Sequence, residues 1–108
     1  PPNASPGIGS AVVTVDTDAN TLRLQTTFSG LQGTVVQAHI HCCTAIPLTG
    51  TVGVATPVPT FPGFPSGVTS GSYDQTFDLT LASSYNPAFV TANVTVDAAR
   101  AALLAGLA

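Results

Sequence analysis

The stretch SAVVTVDTDANTLRLQTTFSGL, residues 10 to 31, carries two runs of strict alternation separated by a turn. Ala11, Val13 and Val15 alternate with Ser10, Val12, Thr14 and Asp16; Leu22, Leu24, Thr26 and Phe28 alternate with Arg23, Gln25 and Thr27. Side chains on a strand point to opposite faces with a period of two, so this pattern suits a half-buried strand and not a helix. Asp16-Thr17-Asp18-Ala19-Asn20 supplies residues that tolerate tight turns, and Ser29-Gly30 ends the second run. The stretch is expected to form a β-hairpin.

Two later segments repeat the signal. TVVQAHIH, residues 34 to 41, reads as a third strand, with Val36, Ala38 and Ile40 on one face and Val35, Gln37, His39 and His41 on the other. The apolar set is expected to face the core. SGSYDQTFDLTL sets Tyr73, Gln75, Phe77, Leu79 and Leu81 against Ser72, Asp74, Thr76, Asp78 and Thr80. Between them, residues 44 to 71 are broken by Gly and Pro, although Phe61 and Phe64 indicate that PVPTFPGFPSG packs onto the body. SSYNPAF reads as a turn or a single helical turn. TVDAARAALLAGLA has a helix pattern over residues 97 to 107, with Thr95 or Asp97 as cap, Leu103, Leu104 and Leu107 as anchors, and Gly106 as a stop. The expectation is an all-β chain: a single antiparallel, Greek-key-like β-sandwich with one short C-terminal helix. One domain spans residues 1–108, with 1–7 as an extended N-terminal segment.

Composition narrows the function classes. Charged residues make up 6% of the 108 residues, with five Asp, two Arg, and neither Lys nor Glu. Nucleic-acid binding needs clustered Lys and Arg, so no nucleic-acid partner is expected. The basic face that attracts anionic lipid is missing as well. No apolar run has the length of a membrane span. A chain opening PPNASPGIGS, with no basic leader, reads as processed or cut from something longer. A weakly charged, Thr-rich surface suits an extracellular, periplasmic or cell-surface protein packed against neighbours.

Both histidines and both cysteines of the chain fall in QAHIHCC, residues 37 to 43. Residues i and i+2 on a strand point the same way, about 6.6 Å apart along the chain. His39 and His41 at that spacing can converge on one zinc or copper ion. Cys43 lies on the histidine side of a regular strand and is a candidate third ligand. The competing reading leaves both histidines as polar residues on the less buried face. Cys42 and Cys43 have three readings: a vicinal disulfide, buried thiols, or disulfides between chains. Asn3-Ala4-Ser5 and Asn93-Val94-Thr95 fit the glycosylation acceptor pattern, which short sequences match by chance. Asp16-Thr17-Asp18 lacks the Gly and downstream Glu of a calcium loop. No nucleophile motif, acid–base pair or phosphate loop is present, so no enzymatic activity is expected.

The order of a hairpin, FSGLQGTVVQAHIH, a Gly/Pro loop, TSGSYDQTFDLT and the helix AALLAGLA resembles the CHRD domain. That module is named after chordin and occurs in many secreted bacterial proteins. Its hallmark, a Gly-Leu turn leading into a strand that ends Ala-His-Ile-His, corresponds to Gly30, Leu31, Ala38, His39, Ile40 and His41. The resemblance spans roughly residues 8 to 108. Family members usually follow HIH with Gly and small residues, where this chain has Cys42-Cys43. They continue past the helix with an Asn-x-His-Thr strand and a Gly-Glu-x-Arg-Gly strand, where this chain stops at Ala108. If the fold is of this type, the strands due after Ala108 are expected to be supplied by a longer chain, replaced by the Pro-rich N-terminus folding over the gap, or replaced by a neighbouring subunit at an open sheet edge. SGLQGTVVQAHIH is also distantly similar to the His-x-His strand of copper-zinc superoxide dismutases, but without a third His dismutase activity is not implied.

These readings converge on a non-enzymatic, extracellular or cell-surface structural or interaction domain. It is expected to meet protein partners, or its own copies as a self-assembling building block, through an open sheet edge. The second reading is a copper or zinc binding module built on His39 and His41.

Overall fold

The computed structural model describes residues 5–46 and 49–107. Three strands, β1 (Ile8–Asp16), β2 (Thr21–Ser29) and β3 (Gly71–Asp78), form one antiparallel sheet in the order β1-β2-β3. A 3-10 turn (Ala82–Ser84) and two helices, α1 (Pro87–Asn93) and α2 (Val96–Leu107), follow. The chain is therefore sheet-rich, as its alternation indicates, but it carries two α-helices rather than one. Asn3 and Ala4 of the first acceptor pattern, and Ala108, lie outside the described residues.

The hairpin forms where the turn chemistry places it. Asp16 Oδ1 accepts hydrogen bonds from the amides of Asp18 and Ala19, each at 3.0 Å. Asn20 takes a positive φ of 55°, which asparagine tolerates better than most residues. The resulting register pairs Val15 with Leu22, Val13 with Leu24 and Ala11 with Thr26. Across β2, Leu22 meets Phe77, Leu24 meets Gln75 and Thr26 meets Tyr73. Directly opposed residues share a face, so these rows define the inner face of the sheet. Leu22, Leu24 and Tyr73 are buried there, while Arg23, Gln25 and Asp74 stay outside. On the outer face Arg23 binds Asp74 through two hydrogen bonds of 2.9 and 2.7 Å. The guanidinium holds the Asp74 carboxyl below the usual carboxylate range.

β3 ends earlier than the alternation suggests. Asp78 Oδ1 accepts from both the amide (2.9 Å) and the hydroxyl (2.6 Å) of Thr80, an Asx turn that competes with the ladder. Leu79 is still buried, at 1% exposure, whereas Leu81 points outward.

TVVQAHIH is extended but does not become a regular strand. His41 pairs with Val54 in a single antiparallel bridge. Elsewhere residues 35–42 bond irregularly to residues 53–68: Ala55 N to Ile40 O (2.8 Å), Phe61 N to Ala38 O (2.8 Å) and Val35 N to Val68 O (2.9 Å). The reason is Pro57 and Pro59, which have no amide hydrogen for a ladder. Two threonine hydroxyls take over. Thr56 Oγ1 accepts from Ile40 N at 2.8 Å, and Thr60 Oγ1 accepts from Ala38 N at 2.8 Å while donating to Ala38 O. Ala38 and Ile40 are half-buried and packed against the core, as expected. Val36 is not: it is 75% exposed. It lies between two separate sets of bonds, one at Val35 and one at Ala38, so no continuous ladder fixes its phase.

The two helices add Phe89, Ala99 and Leu103 to the core. Asn86 caps α1 by accepting from Ala88 N, and Pro87 occupies its first turn. Thr95 Oγ1 accepts from Ala98 N at the start of α2. Ala99 and Leu103 are the fully buried anchors of α2, while Leu104 is half-buried and Leu107 is 37% exposed. The inward stripe is thus centred on Ala99 and Leu103 rather than on the Leu103–Leu104–Leu107 set. Gly106 does not stop the helix, which runs on to Leu107.

Tyr85, between the 3-10 turn and α1, is 2% exposed and donates its hydroxyl to Leu79 O at 2.7 Å. Burial pushes its pKa above the ordinary tyrosine value. Replacing it by Phe leaves an interior carbonyl without this donor. Tyr85→Phe is expected to lower stability by about 1–3 kcal/mol in urea unfolding. A change under about 0.5 kcal/mol, the size of an ordinary surface substitution, would contradict this placement.

Candidate functional site

The irregular layer that replaces the third strand also positions the histidines. With Ala38 and Ile40 turned inward, His39 and His41 project to the opposite side, His39 half-buried and His41 exposed. Each ring is fixed by its own backbone partner. His39 Nδ1 lies 3.0 Å from Pro59 O, and His41 Nδ1 lies 2.6 Å from Val52 O. Pro59 is one of the two residues that spoil the ladder, and its carbonyl holds the ring instead. Both Nε2 atoms then face one another at 3.1 Å, with the ring planes at 60°. Two imidazole nitrogens in this arrangement can share a proton or hold an ion between them.

Cys43, the candidate third ligand, is turned elsewhere. Its sulfur lies 3.2 Å from Ala102 O, and that of Cys42 lies 3.9 Å from the same carbonyl on α2. The two cysteine sulfurs are within bonding distance of each other, the vicinal arrangement among the three readings. Among the described residues, no group of three or more His, Cys, Asp or Glu side chains comes together as a metal site. The structure therefore brings His39 to His41 and Cys42 to Cys43, but it does not bring Cys43 to the histidines.

Three participants escape a reading of the sequence. The carbonyls of Val52 and Pro59 have no signature in residue type. Gly106 has one, a lone glycine inside an Ala/Leu helix, which marks a close approach as readily as a helix end. A Cβ at Gly106 would meet Cys42 Sγ at 2.6 Å and Cys43 Sγ at 2.7 Å. The absence of a side chain there lets α2 lie against the two sulfurs. The second acceptor pattern also finds a structural use, because Asn93 Nδ2 donates to Phe89 O within α1 at 2.9 Å.

Gly106→Ala improves intrinsic helix propensity by about 1 kcal/mol. The sulfur contact predicts a net loss of thermal stability all the same, because helix and cysteines must separate. In a variant with Cys42→Ala and Cys43→Ala the same glycine substitution is expected to become neutral or stabilising. Equal effects in both backgrounds, read by thermal unfolding, would show that α2 does not rest on the sulfurs.

Comparison with known proteins agrees with the residues that carry the resemblance. No curated protein and no solved structure matches the chain. The model of the CHRD domain family matches residues 1–106, which include the Gly30-Leu31 turn, the Ala38-His39-Ile40-His41 segment and nearly all of α2. The chain belongs to the CHRD domain family.

Proposed function

We propose that this chain is a non-enzymatic, extracellular or cell-surface interaction domain that joins a second copy of itself by pairing along β1. Domains of the CHRD family are in general extracellular interaction domains, which supports the compartment and the class. No single helix among the described residues is long and apolar enough to cross a membrane.

The observation that carries the reading is the state of β1. It lies at the edge of the sheet, pairs with β2 on one side, and has no strand on its other side among the described residues. Eight of its nine residues are exposed, with only Val15 half-buried. Ile8, Val12 and Val13 are 72%, 57% and 38% exposed, so apolar surface lies open on both faces. An edge strand offers unpaired N–H and C=O groups, and natural proteins usually blunt it with charge, above all Lys, or with Pro. β1 carries neither Lys nor Pro, and its one charge is Asp16 at the very end. Beside it, Val13, Val15 and Thr17 face Leu104 and Leu107 of α2 across an apolar groove. An extended segment of a second copy fits this surface, since its backbone completes the ladder and alternate side chains enter the groove. A chain with so little charge has little self-repulsion to oppose that contact.

A lysine on the edge tests the reading. Val12 projects from the outer face, so Val12→Lys leaves the core intact. Light scattering is expected to show concentration-dependent association of the 108-residue chain and a shift toward monomer in the variant. A chain that stays monomeric, or an assembly that Val12→Lys leaves unchanged, contradicts pairing along β1.

A further inference from the structure

We propose that His39 and His41 together bind one copper or zinc ion through their two Nε2 atoms, as adjacent ligands of an open site. The hydrogen positions follow from the partners of each ring. A backbone carbonyl oxygen can only accept, so the Nδ1 facing Pro59 O and the Nδ1 facing Val52 O each carry the ring hydrogen. In a neutral imidazole with hydrogen on Nδ1, Nε2 holds a bare lone pair. With both rings in that form, two Nε2 lone pairs lie 3.1 Å apart. A proton shared between them or a metal ion bound by both relieves their repulsion, and a metal ion that displaces the proton finds both donors already in place.

The separation indicates which kind of site this is. With metal–nitrogen bonds of about 2.0–2.1 Å, nitrogens 3.1 Å apart subtend about 95–102° at the metal. That angle lies between the right angle of octahedral or square-planar neighbours and the tetrahedral angle. A linear two-coordinate ion would need the nitrogens about 4 Å apart. The pair therefore suits two neighbouring positions of a four-coordinate or larger shell. Imidazole donors favour copper and zinc, whereas calcium and magnesium take oxygen ligands. His41 is exposed, and among the described residues no third His, Cys, Asp or Glu joins the pair. The remaining positions belong to water or to a donor from a binding partner.

The rings are set before any ion arrives. A hydrogen bond from the far nitrogen of a ligating histidine to a carbonyl fixes tautomer and orientation, and losing such a partner weakens metal sites about 10–100-fold. Here both histidines have one, from two different segments of the irregular layer. The site shares no residue with β1, and Val12→Lys tests whether it depends on the assembly proposed above.

The test titrates the folded chain with copper(II) and zinc(II) salts by calorimetry near neutral pH, alongside His39→Ala, His41→Ala and Val12→Lys. The expected result is one ion per histidine pair. Affinity should fall roughly tenfold or more in each histidine variant and stay unchanged in Val12→Lys. Circular dichroism checks that the variants fold. Long-range proton–nitrogen NMR on the unsubstituted chain gives a readout that needs no variant. Both rings are expected to carry hydrogen on Nδ1, and zinc is expected to shift both Nε2 resonances. Equal binding by the unsubstituted chain and the histidine variants, absence of binding, or coordination through Nδ1 overturns the proposal.

Discussion

Phe61 lies over the inner face of the sheet, its ring 6.2 Å from that of Tyr73 and 5.5 Å from that of Phe77. Phe64 extends the cover, 4.8 Å from Tyr73 and stacked on Phe28 at 6.0 Å. A single sheet must bury its apolar face against a second layer. The second layer is supplied here by a segment whose prolines forbid a regular strand. Burial of one such ring contributes about 1.5–3 kcal/mol, a large share of the stability of a domain this size. Tyr73 ties the contact down by donating its hydroxyl to Pro62 O at 2.6 Å. Residues 35–42 take their position from this layer, through backbone bonds to residues 53–68.

This layer also sets the histidines. Phe61 N donates to Ala38 O, Thr60 and Thr56 bind the amides of Ala38 and Ile40, and the carbonyl of Pro59 reaches His39. A regular ladder would have spent the carbonyls on strand pairing. The prolines break that pairing, and the freed carbonyl of Pro59 orients a ring. The same layer brings Cys42 and Cys43 under α2, where Gly106 makes room for the sulfurs. The open edge at β1 and the histidine pair are thus two separate features of one sheet-rich scaffold.

Much of this was legible in the residues. The hairpin follows from alternation and from Asp16 and Asn20, whose side chains suit the turn. Phe61 and Phe64 announced that the Gly/Pro segment packs, because aromatic residues are seldom left in a free linker. Asn86-Pro87 carried the start of a second helix, a cap followed by a first-turn proline, yet the short span that follows reads equally as a turn. What escaped is non-local. The phase of Val36 depends on where bonds from residues 60–68 fall. The end of β3 depends on Asp78 preferring Thr80 to the ladder. α2 turns Ala99 inward and leaves Leu107 partly out, and of the sulfur contact beneath it the helix sequence carries only the lone Gly106. The convergence of His39 and His41 was readable from their spacing, whereas the carbonyls that orient them were not.

Threonine hydroxyls stand in for a broken ladder and thereby hold residues 38–41 in phase. Amide hydrogen exchange at Ile40 tests it most directly, with Thr56→Val as a near-isosteric removal of the hydroxyl that accepts from Ile40 N. The Ile40 amide is expected to be protected in the unsubstituted chain and to lose protection markedly in the variant, confined to the neighbourhood of residues 38–41 while the amides of β2 stay slow. An Ile40 amide that exchanges as fast as an open loop, or one that Thr56→Val leaves equally slow, would contradict it.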